Sequence, residues 1–178
     1  EHKGMRTMFV MMNEARLGVG MQGLAQAEIA YQNAADFARD RLQSRALSGP
    51  AAPEKPADPI IVHPDVRRML MDSRAFTEGA RAFMFWTALY GDLLHKSPDD
   101  AVRQKAGDYM ALMTPVVKAF LTDIGFKTTS ECLQLHGGYG YMWEYPVCRA
   151  WADNRMSRIA GGTTEIMKEI ISRDLLAD

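Results

Sequence analysis

The chain has 178 residues, of which 47% are apolar and 24% charged, with a formal net charge of −1. That length can bury a core of its own, and the near-neutral charge excludes a nucleic-acid binder that works through a basic face. Two cysteines, Cys132 and Cys148, make neither a disulfide framework nor a zinc quartet and fit a reducing compartment, while no apolar run approaches the roughly 18 residues of a membrane span and no signal-peptide pattern opens the chain.

The first segment, Met5 to about Leu47, reads as a long helix. Met8, Met12, Val19, Leu24, Ile29, Phe37 and Leu42 recur near helical spacing. Gly18, Gly20 and Gly23 each weaken it by roughly 1 kcal/mol relative to alanine. They mark either a face that a neighbouring helix or ligand approaches closely, or a kink. Pro50, Pro53, Pro56, Pro59 and Pro64 then crowd one stretch, which reads as an extended surface loop over about 48–64 joining two helices. A second helix is expected from near Pro64 to His95, with Val66, Met69, Leu70, Phe76, Ala80, Phe83, Ala88 and Leu89 inward.

Ser97-Pro98-Asp99-Asp100 predicts a third helix start: a capping hydroxyl, proline in the first turn, and acids at the positive end of the dipole. This helix is expected to run toward Met113, to kink or restart at Thr114-Pro115, and to carry Val116, Val117, Phe120 and Leu121 to Ile124-Gly125. A short helix from Thr128 to Gly137-Gly138, an aromatic cluster (Tyr139, Tyr141, Trp143, Tyr145), a helix from Val147 to about Arg158, the Gly161-Gly162 break and a last helix over Thr163–Leu176 complete the chain. In that last helix Ile166, Ile170, Ile171 and Leu175 are expected inward. No strand alternation or internal repeat is present. The expected fold is all-α: an antiparallel, up-down four-helix bundle with additional C-terminal helices, one domain over 1–178.

Metal chemistry of the di-iron bundle type needs Glu-x-x-His, which is absent; His2, His63, His95 and His136 are scattered, and neither zinc-ligand spacing nor G-x-S-x-G occurs. The remaining chemistry is glycine-centred. Gln134-Leu135-His136-Gly137-Gly138-Tyr139-Gly140-Tyr141 is either a glycine-rich helix C-cap or a place where bare backbone meets a phosphate or flat ring. Gly161-Gly162-Thr163-Thr164-Glu165 is either an anion site at a helix N-terminus or a helix start capped by Thr163.

In combination these segments are specific. The C-terminal third, ECLQLHGGYGYMWEYPVCRAWADNRMSRIAGGTTEIMKEIISRDLL, resembles the end of the acyl-CoA dehydrogenases, most of all their long-chain branch. MMNEARLGVGMQGL, ARDRLQSR and DPIIVHPDVRRMLMDSRAFTEGAR resemble the branch that includes 3-methylmercaptopropionyl-CoA dehydrogenase, so the resemblance covers essentially the whole chain. It implies the C-terminal helical domain of an FAD-dependent oxidoreductase of fatty acid metabolism. Such enzymes take an α-proton and a β-hydride from an acyl-CoA, leave a trans-2-enoyl-CoA, and pass electrons to an electron-transfer flavoprotein. It also implies a homodimer or homotetramer with FAD between subunits, in a bacterial cytoplasm or, in a eukaryote, the mitochondrial matrix. The opening Glu1-His2-Lys3-Gly4, without methionine, is read as fitting a piece of a longer enzyme.

Carried over by position, Arg41 falls on the FAD pyrophosphate, with the family's following aromatic-glycine pair replaced by Ser44-Arg45. Gln134, Leu135, Gly137 and Gly138 fall on the neighbouring subunit's FAD, and Thr163 and Glu165 on cofactor-contacting positions. Arg16 and Gly162 fall near the acyl pocket and Arg173 near the CoA nucleotide. The arginines could equally be solvated helix charges, Arg173 paired with Glu169 for only about 0.3–0.5 kcal/mol. The family's two base positions hold Gly161 and Ala15; Glu14, beside the latter, is the remaining candidate and could equally be a solvated glutamate. The expected activity is therefore that of the family, with this chain alone incomplete and self-associating. The competing reading is a non-catalytic oligomerisation or binding module on the same scaffold.

Overall fold

The computed structural model describes residues 3–176, and within them five α-helices: α1 (Gly4–Asp40), α2 (Pro64–Lys96), α3 (Asp100–His136), α4 (Pro146–Ser157) and α5 (Thr164–Leu176). Short 3₁₀ turns at Ile60–Val62 and Gly137–Tyr141 precede α2 and follow α3. Gly20 lies against Val117, Gly23 against Leu121 and Phe37 against His136, so α1 and α3 run the same way. Ser73 meets Cys132 while Trp86 meets Tyr109, so α2 runs against α3. Trp151 bonds Ser130 and Arg158 bonds Asp123, so α4 also descends. The result is the expected up-down-up-down bundle with one further helix.

Four features of its construction test the expectation, and three of them depart from it. First, α3 is a single helix of 37 residues through both Pro115 and Gly125. An interior proline costs about 3 kcal/mol, but Pro115, Val117, Lys118, Leu121 and Thr122 are all buried there, and tertiary burial outweighs the local break. The fourth bundle helix is thus the short α4. The start of α3 is capped by Asp99, whose carboxylate accepts from the Ala101 and Val102 amides at 2.8 and 3.4 Å, rather than by Ser97.

Second, the buried stripe of α1 is alanine: Ala27, Ala30, Ala34 and Ala38 are fully buried, whereas Met8 and Ile29 are exposed. Small side chains let α2, α3 and α4 approach one helix together. On α2 the inward line continues through Ser73, Thr77 and Thr87 while Leu89 faces out, and on α5 Thr164 and Met167 are buried, with Ile166 and Leu175 exposed. Third, Gly20 and Gly23 fulfil the close-approach reading: a Cβ on Gly23 would stand 2.9 Å from the Leu121 carbonyl oxygen. Gly18 has open space around it.

Fourth, α1 ends at Asp40, and the connection to α2 is a built loop. The Asp58 carboxylate, with no exposed side-chain surface, accepts from the Ala46, Ala51 and Ala52 amides at 2.9, 3.0 and 2.8 Å and from Arg45 at 3.1 Å. These donors hold its pKa well below the usual carboxylate range. An Asx-centred loop of this kind is encoded by one residue, and proline content alone does not reveal it.

Candidate functional site

The C-terminal end of α1, the start of the connecting loop, the start of α2 and the glycine turn after α3 border an open cavity of about 960 Å³. Arg41, Gln134, Leu135, Gly137 and Gly138 all line it, although Arg41 and Gln134 are far apart in sequence. Helix α3 stops here because Gly137 takes φ +59°, a left-handed value that suits glycine, and its amide reaches back to the Gln134 carbonyl. The C-cap reading and the ligand-wall reading of these glycines are therefore compatible: the turn that ends the helix leaves bare backbone facing the cavity. Added Cβ atoms at Gly137 or Gly138 would meet nothing within 4 Å.

The remaining wall is aromatic and basic. The Arg41 guanidinium lies over the Tyr139 ring at 5.4 Å, and His136 stacks on Phe37 with centroids 4.4 Å apart. His63 Nε2 donates to the Gln43 carbonyl at 3.0 Å, fixing the start of α2 against the loop. Phe37, Gln43, Ser44, His63 and His136 were not singled out as site residues by sequence. They become legible only once α1, α2 and α3 converge. Ser44 holds φ +61°, and Arg45 turns away to the Ala52 and Lys55 carbonyls and Asp58.

His136 Nδ1 donates to the Cys132 carbonyl at 2.7 Å, and burial pushes the imidazole pKa below its ordinary 6.5. As pH falls the unfolded chain takes up this proton first. The stability that a neutral His136 contributes is complete above pH 6.5 and is lost as pH falls from there through the lower folded-state value. Urea unfolding at neutral pH and at about pH 5.5 should show this loss, and His136→Leu should flatten it; an unchanged slope in the variant would assign it to other groups. The Cys132 thiol, buried beside Ser73, is pushed up to about 11 and stays protonated.

The other predicted residues gather elsewhere, around the turn between α4 and α5. Arg16 is 8% exposed: its Nε donates to the Gly161 carbonyl at 3.1 Å and its Nη1 to Asn13 at 2.9 Å. Gly161 and Gly162 take φ +72° and +109°. Arg158 and Thr164 both bond Asp123, at 2.7 and 2.9 Å, tying the ends of the turn to α3. Thr163 and Glu165 line a small pocket of about 110 Å³ beside Arg155 and Arg158. The exposed Glu165 carboxylate is drawn below its usual range by its own amide and the Thr163 hydroxyl. Glu14 and Ala15 are exposed, as is Arg173 on α5. A Cβ on Gly161 would meet the Arg16 side chain at 3.6 Å, so arginine, not a carboxylate, faces this turn from α1.

The chain is thus an all-α helical domain with an aromatic, arginine-bearing cavity at a glycine-turned helix end. The chain belongs to the acyl-CoA dehydrogenase family, matching the family model described as "Acyl-CoA dehydrogenase, C-terminal domain" over residues 2–176. It is 44% identical to 3-methylmercaptopropionyl-CoA dehydrogenase of Ruegeria pomeroyi, across the whole of this chain and 30% of that enzyme. It is 48% identical, over 63 residues, to the mitochondrial long-chain specific acyl-CoA dehydrogenase of Mus musculus, covering 35% of this chain and 15% of that protein. Both branches named by the motifs are thus among its relatives. Among solved structures, the Bacillus anthracis acyl-CoA dehydrogenase complexed with FAD superposes with a TM-score of 0.81 at 26% identity, covering 98% of this chain and 29% of that one. The chain spans 30% of the length of the Ruegeria pomeroyi enzyme and 27% of that of a butyryl-CoA dehydrogenase of Syntrophomonas wolfei to which it is 35% identical.

Proposed function

We propose that this chain is the C-terminal helical part, spanning 1–178, of an FAD-dependent dehydrogenase that desaturates an acyl-CoA thioester to the trans-2-enoyl-CoA. The observation that supports this best is the convergence of Arg41 with Gln134, Leu135, Gly137 and Gly138 on one cavity. The resemblance places Arg41 on an FAD pyrophosphate and the other four on a neighbouring subunit's FAD. The residues present suit FAD. The guanidinium held over Tyr139 would meet phosphoryl oxygens, Gln134 would offer an amide, and the bare glycine backbone would leave room for a flat group against the Phe37, His136 and Tyr139 wall. Bound flavin supplies the hydride acceptor. The chain's own share is to bind and orient the cofactor from a neighbouring subunit, with Thr163 and Glu165 as further cofactor contacts, and to shape the acyl end around Arg16 and Gly162, while Arg173 lies exposed on α5, where the resemblance places the CoA nucleotide.

Acyl-CoA as substrate, a homodimer or homotetramer, an electron-transfer flavoprotein as acceptor and a bacterial cytoplasm complete the reading. Among the described residues no helix is long and apolar enough to cross a membrane. One observation favours the competing, non-catalytic module: among the described residues the side chains nearest a Cβ at Gly161 are Arg16 and Val19, and Glu14, the remaining candidate base, is exposed.

Titration of ¹⁵N-glycine-labelled chain with FAD tests the cofactor reading. Gly137 and Gly138 amide resonances should shift while Gly79, in open space on α2, stays put; unmoved Gly137 and Gly138 at millimolar FAD would overturn it. The chain incubated with FAD, butyryl-CoA and an artificial acceptor should form no enoyl-CoA, and turnover would refute its incompleteness.

A further inference from the structure

Lys118, in the middle of α3, has no role in the site as described so far, yet its side chain is fully buried. Its Nζ donates to the Gly162 carbonyl at 2.6 Å and to the Arg158 carbonyl at 3.1 Å, while Arg16 takes the Gly161 carbonyl between them. Two cations from two helices therefore draw three carbonyls of one short turn inward.

A trans, planar peptide holds each carbonyl opposite the next residue's N–H. With the Gly161 and Gly162 carbonyls directed at Arg16 and Lys118, the Gly162 and Thr163 N–H groups face the other way. Neither donates to an acceptor among the described residues, whereas Ile159, whose N–H lies opposite the Arg158 carbonyl, is satisfied by Met156 at 2.9 Å. The positive φ values of Gly161 and Gly162 make this arrangement accessible without side-chain strain. Asp123 holds Arg158 and Thr164 at the two ends, so the turn is tied at both ends and in the middle. Burial lowers the Lys118 pKa, and Arg16 and Arg158 push it the same way; Asp123 and Glu165 oppose them. The local excess of positive charge behind two outward N–H groups favours an electron-rich oxygen in front of them.

We propose that Lys118, acting with Arg16, is a positioning residue that aims the Gly162 and Thr163 amides at a carbonyl or phosphate oxygen of the bound acyl-CoA or FAD. This rests on the reading under Proposed function, and deepens it. The lysine acts through the turn and touches no ligand itself. It differs from a lysine that merely stabilises the bundle, because its removal should disturb these two amides and spare the cavity at Gly137 and Gly138.

The test is amide NMR of the chain labelled with ¹⁵N-glycine and ¹⁵N-threonine, as wild type, Lys118→Met and Arg16→Gln, titrated separately with butyryl-CoA and with FAD. In the wild type one of the two ligands should shift Gly162 and Thr163, which names the oxygen's source. In Lys118→Met these two resonances should move or split without ligand and their ligand response should weaken by about tenfold or more, while Gly137 and Gly138 still answer to FAD. Unchanged Gly162 and Thr163 resonances and response in Lys118→Met overturn the proposal, as does equal loss at Gly137 and Gly138. Should Lys118→Met fail to fold, Arg16→Gln carries the same expectation. Slow deuterium exchange of both amides in the ligand-free wild type would overturn the outward geometry. Silence of Gly137 and Gly138 toward FAD in the wild type instead defeats the cofactor reading, and silence of Gly162 and Thr163 toward both ligands defeats the ligand assignment.

Discussion

Gly125→Ala should destabilise the chain by about 3 kcal/mol or more, read as a lower urea midpoint. In an isolated helix the same change would add up to about 1 kcal/mol of stability. The sign reverses because α3 crosses α1 at this point. A Cβ on Gly125 would stand 2.6 Å from the Gly23 carbonyl oxygen and 3.0 Å from its carbon, and both are backbone atoms that cannot swing aside. The same Gly23 oxygen accepts from the fully buried Asn154 amide at 3.4 Å, and Ser157 holds the Asn154 oxygen at 2.8 Å. Separating α1 from α3 therefore also pulls on α4. Gly79→Ala is the control. Nothing lies within 4 Å of a Cβ there, and the midpoint should rise by the ordinary helix-propensity gain. Equal gains at both positions would remove the crossing from the fold.

Arg41→Ala should weaken the FAD response of Gly137 and Gly138 by about ten- to a hundredfold, the worth of a charge-assisted contact to phosphate. The fold should survive, because the guanidinium rests on the face of Tyr139, a contact worth about 0.5–1 kcal/mol at an exposed site. Arg41→Lys should restore only part of the affinity, since an ammonium is a point charge without the planar fork. Arg45→Ala separates cofactor binding from loop integrity. Arg45 is engaged with Asp58 and two loop carbonyls, so its loss should loosen the loop before it touches the glycine turn. Full FAD response in Arg41→Ala would remove this arginine from the site.

The misplacements in the sequence reading share one physical origin. Pro115 and Gly125 carry strong local signals for a break, and local signals are worth at most a few kcal/mol. The face formed by Val117, Lys118 and Leu121 is buried against α1, and that burial carried the helix through both positions. The same holds for α1, where methionines at helical spacing suggested the inner face and the smaller alanines occupy it. A bundle in which three helices surround one favours side chains that permit close axes over those with the most apolar area. Lys118 was invisible for a related reason: a lysine in a helical run reads as solvated until the segment covering it, some 40 residues onward, is in place.

What the sequence determined by itself was the class of structure and the family. Helical periodicity, the Pro64 start, the glycine stop after His136 and the Q-x-x-G-G-x-G-Y and G-G-T-x-E-I motifs all act within a few residues of themselves. The tertiary structure decided which face of each helix is buried, that α3 is continuous and that Asp58 organises the loop. It also brought Arg41 to the glycine turn, and set Arg16 and Lys118 behind Gly161 and Gly162. Those outcomes depend on distances between segments remote in the chain, which no local pattern encodes and which the packing of the helices imposes.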